Sequence, residues 1–107
     1  MKIIRTTLFD KSLKKLGATA KDLQKLEDAL IANPAAGDVI KGLEGARKVR
    51  FGIGGRGKRG GGRAIYVLVM TAETAYLLVA YSKMDQADLS DRQRKAIGEL
   101  IRELNND

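Results

Sequence analysis

The chain has 107 residues, no cysteine, no histidine and a formal net charge of +7. That length fits one domain, residues 1–107, with one hydrophobic core, and an apolar content of 44% excludes a disordered basic tail. Without cysteine or histidine there is no disulfide framework, no thiolate chemistry, no nucleophile–histidine pair and none of the usual zinc ligands, so neither a metal nor a small-molecule cofactor is expected.

"KIIRT" reads as a short first strand. Leu8, Phe9, Leu13 and Leu16 then recur at helical spacing, with Gly17 placed as a C-cap. Thr19 caps a second helix, with Asp22 in its first turn, and Leu23, Leu26, Leu30 and Ile31 form its apolar stripe. Asn33-Pro34 ends that helix. "AAGDVIKGLEGA" reads as a loop. In "RKVRFGI", Val49, Phe51 and Ile53 face the core while Lys48 and Arg50 face the other way, about 7 Å apart. "RAIYVLVM" and "AYLLVAY" are apolar, β-branched and aromatic runs expected as central strands, joined at "TAET" by a tight hairpin. Ser90 and Gln93 form a capping box, and Leu89, Ile97, Leu100, Ile101 and Leu104 give a last amphipathic helix. The order is β-α-α-β-β-β-α, an α+β fold: a small antiparallel sheet with helices packed on one face. No apolar run is long enough to cross a membrane, and "MKIIRTTLFDK" is not a signal peptide, so a cytoplasmic protein is expected.

The charge is not evenly spread. Residues 41–63 hold eight cations (Lys41, Arg47, Lys48, Arg50, Arg56, Lys58, Arg59 and Arg63) against Glu44 alone, while the rest of the chain has twelve cations and twelve anions. A single-sign block beside a balanced body reads as a polyanion footprint. At its centre lies "GGRGKRGGGR", residues 54–63. It is no P-loop or dinucleotide fingerprint, because no Ser or Thr follows Lys58 and a strand rather than a helix comes next. A cationic strand connection fits better. Its glycines permit close approach to a phosphate chain, and its cations neutralise phosphates. The plainer reading, a solvated loop that aids solubility, leaves unexplained why Lys48, Arg50 and Arg63 carry the patch onto the flanking strands. The aromatic signature of an RNA-recognition motif is absent, and Tyr66 and Tyr81 are as well explained by packing as by base stacking.

A chain without histidine can still cleave RNA through its own 2′-hydroxyl. A lysine among like charges gives up its proton more readily, and arginine stabilises the charge of a phosphorane. Such a site works best where another body holds the RNA in reactive geometry.

"GDVIKGLEGARKVRFGIGGRGKRGGGRAIYVL" and "YLLVAYSKMDQADLSDRQRKAI" resemble the RelE/HigB family of bacterial toxins from type II toxin–antitoxin modules, in particular the HigB-like branch with a long glycine-rich loop. The resemblance implies a ribosome-dependent mRNA endonuclease that cuts mRNA in the ribosomal A site by metal-independent 2′-OH attack. It implies Lys48 as proton acceptor, Arg50 and Arg63 as stabilisers of the scissile phosphate, and Lys83 as a further phosphate or leaving-group contact. Arg47, Arg56, Lys58 and Arg59 are candidate RNA-binding residues. Where RelE has an arginine after the Lys83 position this chain has Met84, and a stacking tyrosine falls near Leu89, so the general acid stays open. The implied partners are the ribosome, mRNA and a cognate HigA-like helix-turn-helix antitoxin, with residues 88–107 a candidate contact. The same fold carries ParE, a gyrase inhibitor without a nuclease site, and a non-catalytic nucleic-acid-binding protein is a third reading.

Overall fold

The computed structural model describes residues 1–54 and 61–105. Its elements are β1 (Lys2–Arg5), α1 (Thr7–Leu16), α2 (Ala20–Ala32), β2 (Asp38–Val39), β3 (Arg47–Phe51), β4 (Gly62–Val69), β5 (Thr74–Ser82) and α3 (Asp91–Asn105), with a 3-10 turn over Met70–Ala72. The five strands form one sheet in the order β1-β5-β4-β3-β2.

The caps fall where side-chain chemistry puts them. Gly17 ends α1 at φ 69°, and Thr19 with Asp22 closes a reciprocal capping box on α2. Ser90 and Gln93 do the same before α3: the Gln93 amide donates to Ser90 Oγ at 3.1 Å, and the Ser90 amide donates to Gln93 Oε1 at 2.9 Å. Thr6 is a further cap, its hydroxyl accepting from the Phe9 amide and donating to the Leu77 carbonyl at 2.9 Å.

The α+β class stands, and four details differ from the sequence reading. First, β1 runs parallel to β5, which makes the sheet mixed rather than antiparallel. Secondly, the presumed loop before β3 contains β2, too short to leave an apolar pattern. Thirdly, the tight β4–β5 hairpin turns over Met70–Glu73, one residue earlier than "TAET", as a 3-10 turn closed by Glu73 in the left-handed region at φ 47°. Lastly, the helices divide between the two faces of the sheet. Phe9, Leu23, Leu26 and Leu30 of α1 and α2 pack with Phe51, Ala64, Tyr66 and Leu77. Ile97 and Ile101 of α3 pack with the residues of opposite direction, Ile65, Val67, Val79 and Tyr81. Both alternating sets of β4 and β5 side chains are apolar, so both faces need cover.

A bulge decides which side chains of β5 share a face. Ile65 pairs with Val79 and Tyr66 with Leu77, which leaves Leu78 as the extra residue. Leu77 belongs to the α1–α2 core, while Leu78, Val79 and Tyr81 belong to the α3 core. Without the bulge Tyr81 would share a face with Leu77. Past the end of β1, α1 takes over the outer edge of β5, with Ser12 Oγ accepting from the Ala80 amide at 2.8 Å.

Asp22 ties α2 to the start of the glycine-rich connection. Its Oδ2 accepts from the Thr19 amide at 2.9 Å and the Gly54 amide at 2.7 Å. Those two backbone hydrogen bonds, Thr19 first, hold its carboxyl below the ordinary value of 3.8. A lowered folded value gives stability that is present above the unfolded value and lost as pH falls through the folded one. Asp22→Ala is therefore expected to cost about 0.5–1 kcal/mol at neutral pH, after allowance for solvent screening. Urea midpoints of the two proteins should converge in strong acid, where the carboxyl is protonated; a gap independent of pH would contradict the assignment.

Candidate nucleic-acid interface and active site

Register builds the site. Lys48 pairs with Ile65, and Arg50 pairs with Arg63 across β3 and β4. Arg63 pairs in turn with Tyr81 across β4 and β5. Directly opposed residues project to the same face, so Lys48, Arg50, Arg63 and Tyr81 share one. Arg50, Arg63 and Tyr81 form a row across three strands, about 10 Å wide at the usual strand spacing. This is the α3 face, at its end toward the 52–61 connection. Two arginines directly opposed repel one another. Nothing in packing asks for that pair, whereas an anion between them relieves the repulsion.

The surroundings of these cations differ. The Lys48 amine lies 3.9 Å from Asp88 Oδ1, with the two side chains 37% and 66% exposed. An ion pair that open and that long adds at most about 1 kcal/mol, so a phosphate can take the place of Asp88. Arg63 is half-buried and donates from Nη1 to the Gly62 carbonyl at 3.1 Å. Gly62 itself packs closely under β3, since a Cβ there would lie 2.6 Å from the Phe51 carbonyl oxygen.

Tyr81 is 3% exposed, and among the described residues its hydroxyl is the buried side-chain polar atom with no hydrogen-bond partner. Burial pushes the phenol above its ordinary value of 10, Asp88 adds to the rise, and Arg63 opposes it. At neutral pH it is a protonated donor.

The other candidates fall elsewhere. Arg47 sits opposite Tyr66 on the α1–α2 face, and its Nη1 donates to the Gly37 carbonyl at 2.8 Å, which pins the segment before β2. Lys83 is exposed just past β5, and its backbone amide donates to the Gly61 carbonyl at 2.7 Å. That bond brings the Lys83 segment beside the end of the glycine-rich connection. Arg56, Lys58 and Arg59 lie outside the described residues. Sequence reasoning did not single out Asp88 or Tyr81 as site residues. No spacing signal marks Asp88, and the bulge that turns Tyr81 toward Arg63 leaves no trace in an apolar run.

Tyr66 supports the site from the opposite face. Its hydroxyl donates to the Pro34 carbonyl at 2.7 Å and accepts from the Gly37 amide at 2.9 Å. Gly37 packs so closely that a Cβ would lie 2.8 Å from both the Lys48 carbonyl oxygen and the Tyr66 ring. The pairing of Asp38 with Lys48 follows from that seating. Among the described residues no group of three or more His, Cys, Asp or Glu could hold a metal ion, and no helix is long and apolar enough to cross a membrane.

Comparison with known proteins gives this fold a family. Escherichia coli RelE toxin with two arginines replaced, in the free state, is 12% identical with a TM-score of 0.59, covering 94% of this chain and 96% of that one. The isolated E. coli RelE toxin is 17% identical with a TM-score of 0.58, covering 92% and 97%. A conserved hypothetical protein of Helicobacter pylori is 20% identical with a TM-score of 0.56, covering 79% and 97%. At these identities the likeness establishes the fold. The profile of the RelE toxin of the RelE/RelB toxin–antitoxin system matches residues 1–106, and the chain therefore belongs to the RelE toxin family.

Proposed function

We propose that this toxin is a ribosome-dependent mRNA endonuclease that stops translation by cutting mRNA in the ribosomal A site. The observation that carries the reading is the register that sets Lys48, Arg50 and Arg63 on one sheet face. The 2′-oxygen attacks the adjacent phosphorus, the 2′-O–P bond forms and the P–5′-O bond breaks, leaving a 2′,3′-cyclic phosphate and a 5′-hydroxyl. One proton leaves the 2′-hydroxyl for Lys48, and the leaving 5′-oxygen takes one from solvent water, so the protons balance. Arg50 and Arg63 hold the extra negative charge of the phosphorane, and no metal takes part. Arg56, Lys58, Arg59 and Lys83 extend the contact along ribosomal or messenger RNA, which makes binding steeply salt-dependent. The ribosome supplies the RNA geometry that a cluster of cations cannot impose alone.

The toxin acts in the cytoplasm and pairs with a cognate antitoxin, a HigA-like helix-turn-helix protein in this reading. Ile97, Gly98 and Ile101 of α3 are buried against the sheet, so an antitoxin reaches this helix only on its outer side.

A purified translation reaction and a gyrase supercoiling assay, run with the same protein, test the reading. Protein synthesis is expected to stop while supercoiling continues. Intact synthesis with blocked supercoiling would replace the nuclease by a ParE-like inhibitor; no effect on either would leave a non-catalytic nucleic-acid binder.

A further inference from the structure

Buried polar side chains are almost always hydrogen-bonded, and a buried hydroxyl without a partner costs stability. Tyr81 is such a group, 3% exposed and unpartnered, in a protein whose other buried tyrosine, Tyr66, both donates and accepts. Phenylalanine would fill the same space without that cost.

Position indicates what the hydroxyl is for. Tyr81 lies directly opposite Arg63, and Arg63 directly opposite Arg50, on one face of three adjacent strands. Opposed Cα atoms in such pairs are about 4.5–5.5 Å apart, so an anion gripped by Arg63 falls within reach of the tyrosine. Asp88 marks the same place with a charge of its own. It pairs with Lys48 and its field acts on Tyr81. Leu89, next in the chain, packs in the apolar cluster that contains Tyr81. A phosphate that takes the place of Asp88 beside Lys48 lands on the sheet face that carries Tyr81.

We propose that the Tyr81 hydroxyl is a further catalytic group of this site, donating a hydrogen bond to the non-bridging oxygen of the scissile phosphate held by Arg63. The inference rests on the nuclease reading above. The phenol stays protonated throughout, so no further proton transfer is added to the reaction. The donor acts where negative charge builds up, in a chain with no histidine and with Met84 after Lys83.

Tyr81→Phe tests this with three readouts: single-turnover cleavage of ribosome-bound mRNA, ribosome affinity, and thermal midpoint. Cleavage is expected to slow about 100-fold, the size of losing one donor at a developing oxyanion. Affinity should stay within about twofold, and the midpoint should hold or rise, because the lost hydroxyl had no partner. Cleavage by Tyr81→Phe at close to the wild-type rate would overturn the proposal. A lower midpoint accompanying lost cleavage would also overturn it, by showing that the hydroxyl serves the fold. If the wild type itself leaves ribosome-bound mRNA uncut, the nuclease reading fails first and takes this one with it, an outcome distinct from an active wild type matched by an active variant.

Discussion

Lys48→Ala and Arg63→Ala are each expected to slow mRNA cleavage on the ribosome by roughly 100- to 1,000-fold, with little change in stability. In the proposed mechanism Lys48 takes the proton of the 2′-hydroxyl, a role that Arg50 and Arg63 cannot fill because arginine keeps its own proton. Removing it leaves the 2′-hydroxyl without an acceptor. Removing Arg63 takes away the charge at the centre of the row formed by Arg50, Arg63 and Tyr81. Neither change should disturb folding. The Lys48–Asp88 pair is long and exposed, and the Arg63 guanidinium bonds only to the neighbouring Gly62 carbonyl among the described contacts. Unfolding free energies from urea titration are expected to change by no more than about 0.5 kcal/mol. Loss of cleavage with an unmoved midpoint separates chemistry from fold; an active Lys48→Ala protein would remove Lys48 from the mechanism.

Tyr66→Phe should do the reverse, costing about 2–4 kcal/mol of stability through groups that never touch RNA. The phenol is wholly buried and holds the Pro34 carbonyl and the Gly37 amide together. Phenylalanine keeps the ring and leaves both backbone groups without their partner. Each orphan costs about 1–3 kcal/mol, and water can reach the segment to recover part of that. Because the segment leads into β2, whose Asp38 pairs with Lys48, cleavage should also weaken as the β3 edge loosens. Denaturant titration measures the first effect. An unfolding free energy within about 0.5 kcal/mol of wild type would show that Tyr66 does not anchor this segment. Tyr66→Phe and Tyr81→Phe remove the same atom from opposite faces of one sheet, and the expected stability changes have opposite sense.

The sequence made much of this fold readable, and the reasons lie in particular residues. Gly17, Thr19 with Asp22, and Ser90 with Gln93 declare helix ends through local hydrogen bonds that need no tertiary context. The alternation of Lys48 and Arg50 with Val49 and Phe51 fixes which side of β3 is charged, and the structure keeps that division. The runs "RAIYVLVM" and "AYLLVAY" are apolar in both directions, which already asks for cover on both faces; the one-face expectation overlooked it. The parallel pairing of β1 depends on contacts seventy residues apart, which no local pattern records. The charge block located the candidate site because charge placement is written in the sequence itself. The sequence leaves Tyr81 open between packing and base stacking. Its direction depends on Leu78 being the bulged residue, and nothing in "AYLLVAY" distinguishes Leu78 from its neighbours.

The most direct measurement is mapping of new mRNA 5′ ends in a purified translation reaction, with and without ribosomes, for the wild type and the Lys48→Ala/Arg63→Ala double variant. The account predicts new ends at A-site codons that require ribosomes and vanish in the double variant. New ends that persist in the double variant, or a well-folded wild type that produces none, would contradict the claim that this basic face cuts mRNA.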